Sequence, residues 1–304
     1  MSKAVIVGGG AAGMAAAVFL AEKGHTVHLF EKNEKLGKKI YITGKGRCNF
    51  TNACPQEELF DNIIHGRKFL YSAFYGYNNF DVIDFFESLG VRTKTERGNR
   101  VFPRSDHASD ITLALEKRMK ALDVTIHLKT EVTEVLASDG QIRGISLKDG
   151  SLIQADAVLV ATGGLSYPST GSTGDGYRFA RSLGHQVTPL CPSLVPFLTQ
   201  EDYIPLMQGL SLKNVSLTLF RKNKKCWDGF GELLFTHRGI SGPLALTASA
   251  QIGEYLLLEQ LTAQIDWKPA LTQEQLDDRL LREFSGQENR QFKNVIPSLL
   301  PAKA

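Results

Sequence analysis

Three glycines at a fixed spacing, Gly8, Gly10 and Gly13, followed by Glu31, are the residues of this chain best suited to hold a ligand. The first glycine lets the chain turn sharply off a strand. The second lets backbone amides approach a diphosphate, and the third lets a helix pack tightly on the sheet. The helix that opens there, with Ala11 and Ala12 in its first turn, presents free N–H groups and a positive dipole end to phosphate. Glu31 stands eighteen positions after Gly13, where a carboxylate accepts hydrogen bonds from a ribose diol. The pattern predicts a site for an adenine dinucleotide. Of the lysines that follow, Lys32 and Lys39 are candidates to reach phosphate, while Lys35 and Lys38 read as surface charge.

A glycine turn is weak evidence by itself, so the elements around it must agree. Residues 5–7 form a strand, the Ala-rich stretch after Gly13 a helix, and residues 25–30 a second strand that delivers Glu31. Helices are expected near 69–75 and 80–89, and short strands at 91–95 and 100–102. Asp110 is expected to cap a helix that runs through Leu122. Strands follow at 124–128 and 131–135. Another pair, 141–147 and 151–155, is joined by the Asp149–Gly150 turn. The run 157–161 reads as a fully buried strand, and Gly174 to Gly176 open a helix through Leu183. Pro189, Pro192 and Pro196 mark a domain crossing: 1–190 for the ligand domain and 191–304 for a β-rich one, with a helical part from about 271. In the second domain, strands are expected at 215–220, 232–235 and 255–265, with a small helix after Ser241-Gly242-Pro243. Helices are expected at 272–284 and 292–300.

Composition excludes several classes. The 304 residues suffice for about two domains, and a net charge of +3 is too small to argue for nucleic acid. Cys48, Cys54, Cys191 and Cys226 form no metal-ligand spacing, so no metal is expected and the thiols read as reduced. The apolar run 11–21 is too short to span a bilayer and is interrupted by glycine, against an export signal. A cytoplasmic protein acting on a small-molecule substrate is expected, without nucleic acid or membrane partners and with its oligomeric state open.

Three features favour FAD over NAD as the tightly held dinucleotide: the placement of the acid, the strand end Ala161-Thr162-Gly163 meeting a glycine turn, and the lack of a second GxGxxG for a nicotinamide domain. Arg47, on the loop Thr43-Gly44-Lys45-Gly46-Arg47, is a candidate to meet the diphosphate or a reduced flavin. Cys48 reads as packed beside FAD rather than as a redox thiol. His237 and Arg238 are the candidates for substrate-side chemistry, a proton shuttle and an anion holder, against the plainer reading of a turn between two elements.

The segments GKKIYITGKGRCNFTN, VLVATGGLSYPSTGSTGDGYRFARSLGH and GELLFTHRGISGPLAL resemble the BaiN-like flavoproteins, a family of NAD(P)/FAD-dependent oxidoreductases. The resemblance implies an α/β fold: a glutathione-reductase-like, Rossmann-type FAD domain with a β-barrel-like and helical insertion. It implies Gly46, Arg47, Cys48, Asn49 and Asn52 near FAD, and backbone at Val132 bracketing the adenine. The family's closing segment, with Gly-Glu-x-Leu-Asp and Gly-Gly-Tyr-Asn, is not met before Ala304. On that resemblance the sequence reads as a fragment, or as a protein that has lost part of its flavin cradle. Three activities follow: a reductase drawing on transiently docked NAD(P)H, an oxidase of amines or aminoketones, or a flavin-binding module without turnover.

Overall fold

A computed structural model describes residues 1–286, 291, 294, 295, 300 and 301. It divides into two compact units, Met1–Thr188 and the chain from Pro189 on. The expected helix at 292–300 falls largely outside the described residues.

The first unit begins with β1 (Lys3–Val7), α1 (Ala11–Glu22) and β2 (Thr26–Phe30). A long connection with a 3-10 helix at Ile40–Gly46 then leads to β3 (Thr51–Asn52), α2 (Gln56–Asp61), α3 (Arg67–Gly76) and α4 (Asn79–Ser88). A hairpin of β4 (Thr93–Glu96) and β5 (Arg100–Pro103) precedes α5 (Ala108–Ala121) and β6 (Thr125–His127). Next come β7 (Val132–Ser138), β8 (Gln141–Leu147), β9 (Leu152–Gln154) and β10 (Ala157–Val160), and α6 (Asp175–Ser182) closes the unit. Four strands form a parallel sheet in the order β10-β1-β2-β6, flanked by the antiparallel sheets β3-β5-β4 and β7-β8-β9.

Alternation along β1 and β2 sends side chains to both faces of the sheet, and both faces are covered. Ile6, Val27 and Leu29 pack with Met14 and Val18 of α1 and Leu115 and Met119 of α5. Val5, Val7 and Phe30 pack on the other face with Val135, Ile145 and Phe179. Two expectations need correction here. The run 157–161 is not a fully buried strand: β10 is the sheet's edge and pairs with β1, leaving Leu159 and Val160 partly exposed. Asp110 is not the cap of α5 either. The helix starts two residues earlier after His107, and the Asp110 carboxylate accepts a hydrogen bond from Ser105 at 2.6 Å.

The second unit contains β11 (Phe197–Leu198), β12 (Ser211–Arg221), β13 (Lys224–Thr236), β14 (Gly239–Ser241), α7 (Pro243–Leu256), β15 (Thr262–Asp266) and α8 (Gln273–Ser285). Its open five-stranded sheet has the order β11-β14-β13-β12-β15. Leu244, Ala245, Ala248 and Ile252 of α7 cover one face against Leu217, Leu219, Leu233 and Phe235. The expected strand at 255–265 is shorter: residues 255 and 256 finish α7, because the buried stripe of that helix runs on through Ile252. Conversely, β13 begins eight residues before the expected 232, since its first half alternates polar and apolar residues around a bulge in its pairing with β12.

On the parallel sheet, His28 Nδ1 lies 3.2 Å from His127 Nε2, and the His127 ring stacks on Phe30 at 4.3 Å. Burial, then Lys3, lowers the pKa of both rings, and His127 lowers that of His28 further. The unfolded chain therefore binds protons more tightly at these positions. Their contribution to stability is complete above the ordinary histidine pKa of about 6.5 and is lost as the pH falls below it. Thermal melts at about pH 7.5 and 5.5 should show the native chain losing stability in acid, and His28→Gln/His127→Gln losing less of it. Equal losses would contradict this assignment.

Candidate functional site

The carboxyl ends of β1, β2 and β10 open into one cleft of about 760 Å³, where open parallel sheets hold their ligands. Its floor is the glycine turn. Gly8 N donates to Phe30 O at 2.8 Å, which fixes the turn to the end of β2. A methyl built on Gly13 would overlap the Gly8 carbonyl oxygen, and one built on Gly8 would overlap Ala161 O. Both positions are closed by backbone. A methyl on Gly10 would meet nothing within 4 Å, because that position faces the open cleft. The N–H groups at the start of α1 are left pointing toward this space, a ready anion site.

Glu31 is buried, 7% exposed, at the cleft wall. Its Oε2 accepts from Gly9 N at 2.7 Å, and its Oε1 accepts from Asn33 N at 2.8 Å and Asn33 Nδ2 at 2.6 Å. These bonds fix the carboxylate in one orientation and balance the cost of burying it. The loop before α6 forms the opposite wall. Lys32 Nζ donates to Thr173 Oγ1 and pairs with Asp175, each at 2.7 Å, and Lys39 Nζ donates to Ser172 Oγ at 2.7 Å. Burial pushes the Asp175 carboxyl up, but the bonds from Lys32 and Thr173 outweigh it and hold the group below the usual carboxylate range. Asp175 thus both occupies the first turn of α6 and anchors Lys32.

Gly8, Gly10, Ala11, Ala12, Glu31, Lys32, Lys39, Val132, Ala161, Thr162 and Gly163 all line this cleft, and Gly13 lies just beneath it. Sequence reasoning missed Asn33, Thr43, Thr130, Ser172 and Tyr177 on the same walls. Asn33 had a signal, a carboxamide two positions after the acid. Thr130 and Tyr177 had none.

The structure does not bring Gly46, Arg47, Cys48, Asn49 and Asn52 to the cleft. Arg47 forms a two-pronged pair with Glu96, at 2.9 and 3.1 Å, and a contact with Asp106 at 3.2 Å. Its guanidinium also lies over the Phe102 ring, 4.3 Å from the centroid. Lys94 joins the same two carboxylates, so the charge of Arg47 is already matched. Burial pushes the Cys48 thiol up, away from a reactive thiolate. The Asn49 amide is placed to donate to Val101 O and Thr51 O, and Asn52 Nδ2 donates to Gly98 O. Arg47, Asn49 and Asn52 thus brace the β3-β5-β4 sheet and the β4–β5 turn.

In the second unit, Thr236 pairs with Gly239, which leaves His237 and Arg238 as an exposed two-residue turn. Among the described residues, neither side chain has a hydrogen bond or an ion pair.

The model of the HI0933-like protein Rossmann domain matches residues 2–253. The chain belongs to this HI0933-like family. A ribosomal RNA dihydrouridine synthase of Haemophilus influenzae is 32% identical over 99% of this chain and 72% of its own length. A ribosomal RNA dihydrouridine synthase of Escherichia coli is 30% identical over 99% of this chain and 71% of its own. A 3-dehydro-bile acid delta(4,6)-reductase of Clostridium scindens is 32% identical over 91% of this chain and 67% of that protein. The expected BaiN-like resemblance is met, and the Rossmann-type α/β fold with it. The chain is a flavin oxidoreductase by family.

The residues of the cleft fit FAD. Gly10 leaves room where a diphosphate must approach backbone. Thr162 Oγ1 is a buried hydroxyl on the cleft wall with no hydrogen-bond partner, and Glu31 is held ready for a ribose. Among the described residues, no helix is long and apolar enough to cross a membrane, and no group of side chains could hold a metal ion.

The two glycines separate binding from folding. Gly10→Ala should keep the melting stability of the ligand-free chain within about 0.5 kcal/mol. It should weaken FAD about ten- to hundredfold, the 1–3 kcal/mol of an overpacked contact. Gly13→Ala should instead lower the stability of the ligand-free chain itself by about 1–3 kcal/mol. Calorimetric melts and FAD titrations measure both; a Gly10→Ala chain with native FAD affinity would contradict the assignment.

Proposed function

We propose that this chain forms the flavin-binding part of a reductase that saturates a carbon–carbon double bond conjugated to a carbonyl, with NAD(P)H as the transient reductant. One observation carries the reading. The curated relatives' names, dihydrouridine synthase and delta(4,6)-reductase, describe the same change on a pyrimidine and on a steroid skeleton. Uridine in RNA is the first substrate to test, because both relatives named for it match 99% of the chain.

Bound FAD would supply hydride chemistry, and the protein would supply orientation and electrostatics. The N–H groups at the start of α1 would hold the diphosphate, with Lys39 beside it. Glu31 would accept the adenosine ribose hydroxyls, and the backbone at Val132 would bracket the adenine. The Thr162 hydroxyl would gain the partner it lacks. His237 would deliver the proton that completes the saturated bond, and Arg238 would hold an anionic group of the substrate or of NAD(P)H. Their freedom from other side-chain bonds supports this, since a shuttle needs an unengaged ring.

The FAD-loaded chain should bleach anaerobically with NADPH and recover its yellow colour when a uridine-containing RNA or a conjugated dienone is added. Peroxide release with amines and no bleaching by NADPH would favour the oxidase instead. His237→Ala should lower kcat about a hundredfold or more, the usual loss for a proton donor, with FAD content unchanged. An unaltered kcat would remove His237 from the mechanism.

A further inference from the structure

The acceptor sites of Glu31 are nearly full before any ligand arrives. An ionised carboxylate offers about four lone-pair sites, two on each oxygen. Oε1 already takes two hydrogen bonds, from Asn33 N at 2.8 Å and from Asn33 Nδ2 at 2.6 Å. Oε2 takes one, from Gly9 N at 2.7 Å. A single site remains, on Oε2. A ribose diol brings two donors, so it cannot seat both on Glu31 unless one of the three bonds gives way.

Which bond can give way follows from how each donor is held. Gly9 N belongs to the glycine corner, where Gly9 O also accepts from Gly37 N at 2.8 Å. Asn33 N is fixed by its own backbone, since Asn33 O accepts from Lys129 N at 2.9 Å. The Asn33 carboxamide is different. Apart from its short bond to Glu31 it is held by long ones: Nδ2 donates to Thr170 O and Oδ1 accepts from Lys38 Nζ, each at 3.2 Å. The residue is half-buried on the cleft wall. Glycine at position 171 leaves the amide room, because a methyl there would sit 2.6 Å from Nδ2.

A buried carboxylate short of partners destabilises the chain that carries it. The amide supplies the missing partner while the cleft is empty. A hydroxyl can insert between the two groups, because it donates through its hydrogen and accepts through its lone pairs. We propose that the Asn33 carboxamide is a stand-in for one hydroxyl of the adenosine ribose. It occupies Oε1 in the empty site, yields that oxygen to the arriving hydroxyl and then donates to it. Asn33 thereby sets which ribose hydroxyl the site demands. The hydroxyl on Oε2 has no substitute, whereas a ligand that lacks the other one leaves the amide bond to Oε1 unbroken. The inference rests on the reading of Glu31 as the acceptor for the adenosine ribose.

The test is calorimetric titration of the full chain, freed of flavin, with ADP, 2′-deoxy-ADP and 3′-deoxy-ADP. In the native chain one deoxy analogue should bind about tenfold or more weaker than ADP, the loss of a hydrogen bond to a charged group, and the other within about threefold of it. In Asn33→Ala the tolerated analogue should also fall about tenfold or more below ADP, because no side chain refills Oε1. Asn33→Ser keeps a polar side chain but is too short to bridge Glu31 and Thr170, and it should do the same. Equal losses for the two analogues in the native chain, or native ratios in both variants, would overturn the stand-in and leave Glu31 as the ribose acceptor. A merely structural role for Asn33 gives the second of these results, since it lowers all three affinities together. No binding of ADP, or three equal affinities in the native chain, would overturn the ribose reading and the stand-in with it.

Discussion

A side chain at Gly13 would collide with the carbonyl oxygen of Gly8, so only glycine fits where the first helix meets the first strand. That contact sets α1 down on β1, and the position of α1 decides where its free N–H groups point. Gly8 is held in turn by the carbonyl of Phe30, and Gly9 by the carboxylate of Glu31. One corner therefore fixes the end of β2, the acid and the anion-binding helix start together. The loop before α6 then closes on it through Lys32 and Lys39. A dinucleotide site here follows from backbone sterics before any side chain is chosen for chemistry.

This order explains which parts of the molecule can be read from its sequence. The corner is legible because steric closeness demands glycine at set positions, and the strand, helix and acid around those glycines agree with it. The strand at 5–7 is legible because its continuous apolar run, ending at a glycine turn, is what a strand covered on both faces requires. Arg47 is not. Its partners Glu96 and Asp106 lie 49 and 59 positions away, and nothing local distinguishes a cation matched by distant carboxylates from one free to meet phosphate. Edge and centre are equally hidden in β10, since an apolar run looks the same whether one neighbouring strand pairs with it or two. The start of β13 escaped notice because a bulge interrupts the alternation that would have announced it.

Charge gives the same lesson. A net charge of +3 describes the whole chain and averages away local order. Within the first unit, Arg47 and Lys94 are neutralised by Glu96 and Asp106, while Arg97 and Arg100 a few residues on have no such partners among the described residues. Electrostatic recognition depends on that distribution rather than on the sum. The family likeness gives the chemistry of the flavin; the surface that selects a substrate must be read from the fold.

A crystal structure of the chain grown with FAD tests the central claim most directly. The account predicts density for the diphosphate against the backbone N–H groups that follow Gly10, with both adenosine ribose hydroxyls on the Glu31 carboxylate. A flavin bound elsewhere, or a glycine corner still empty at saturating FAD, would contradict it.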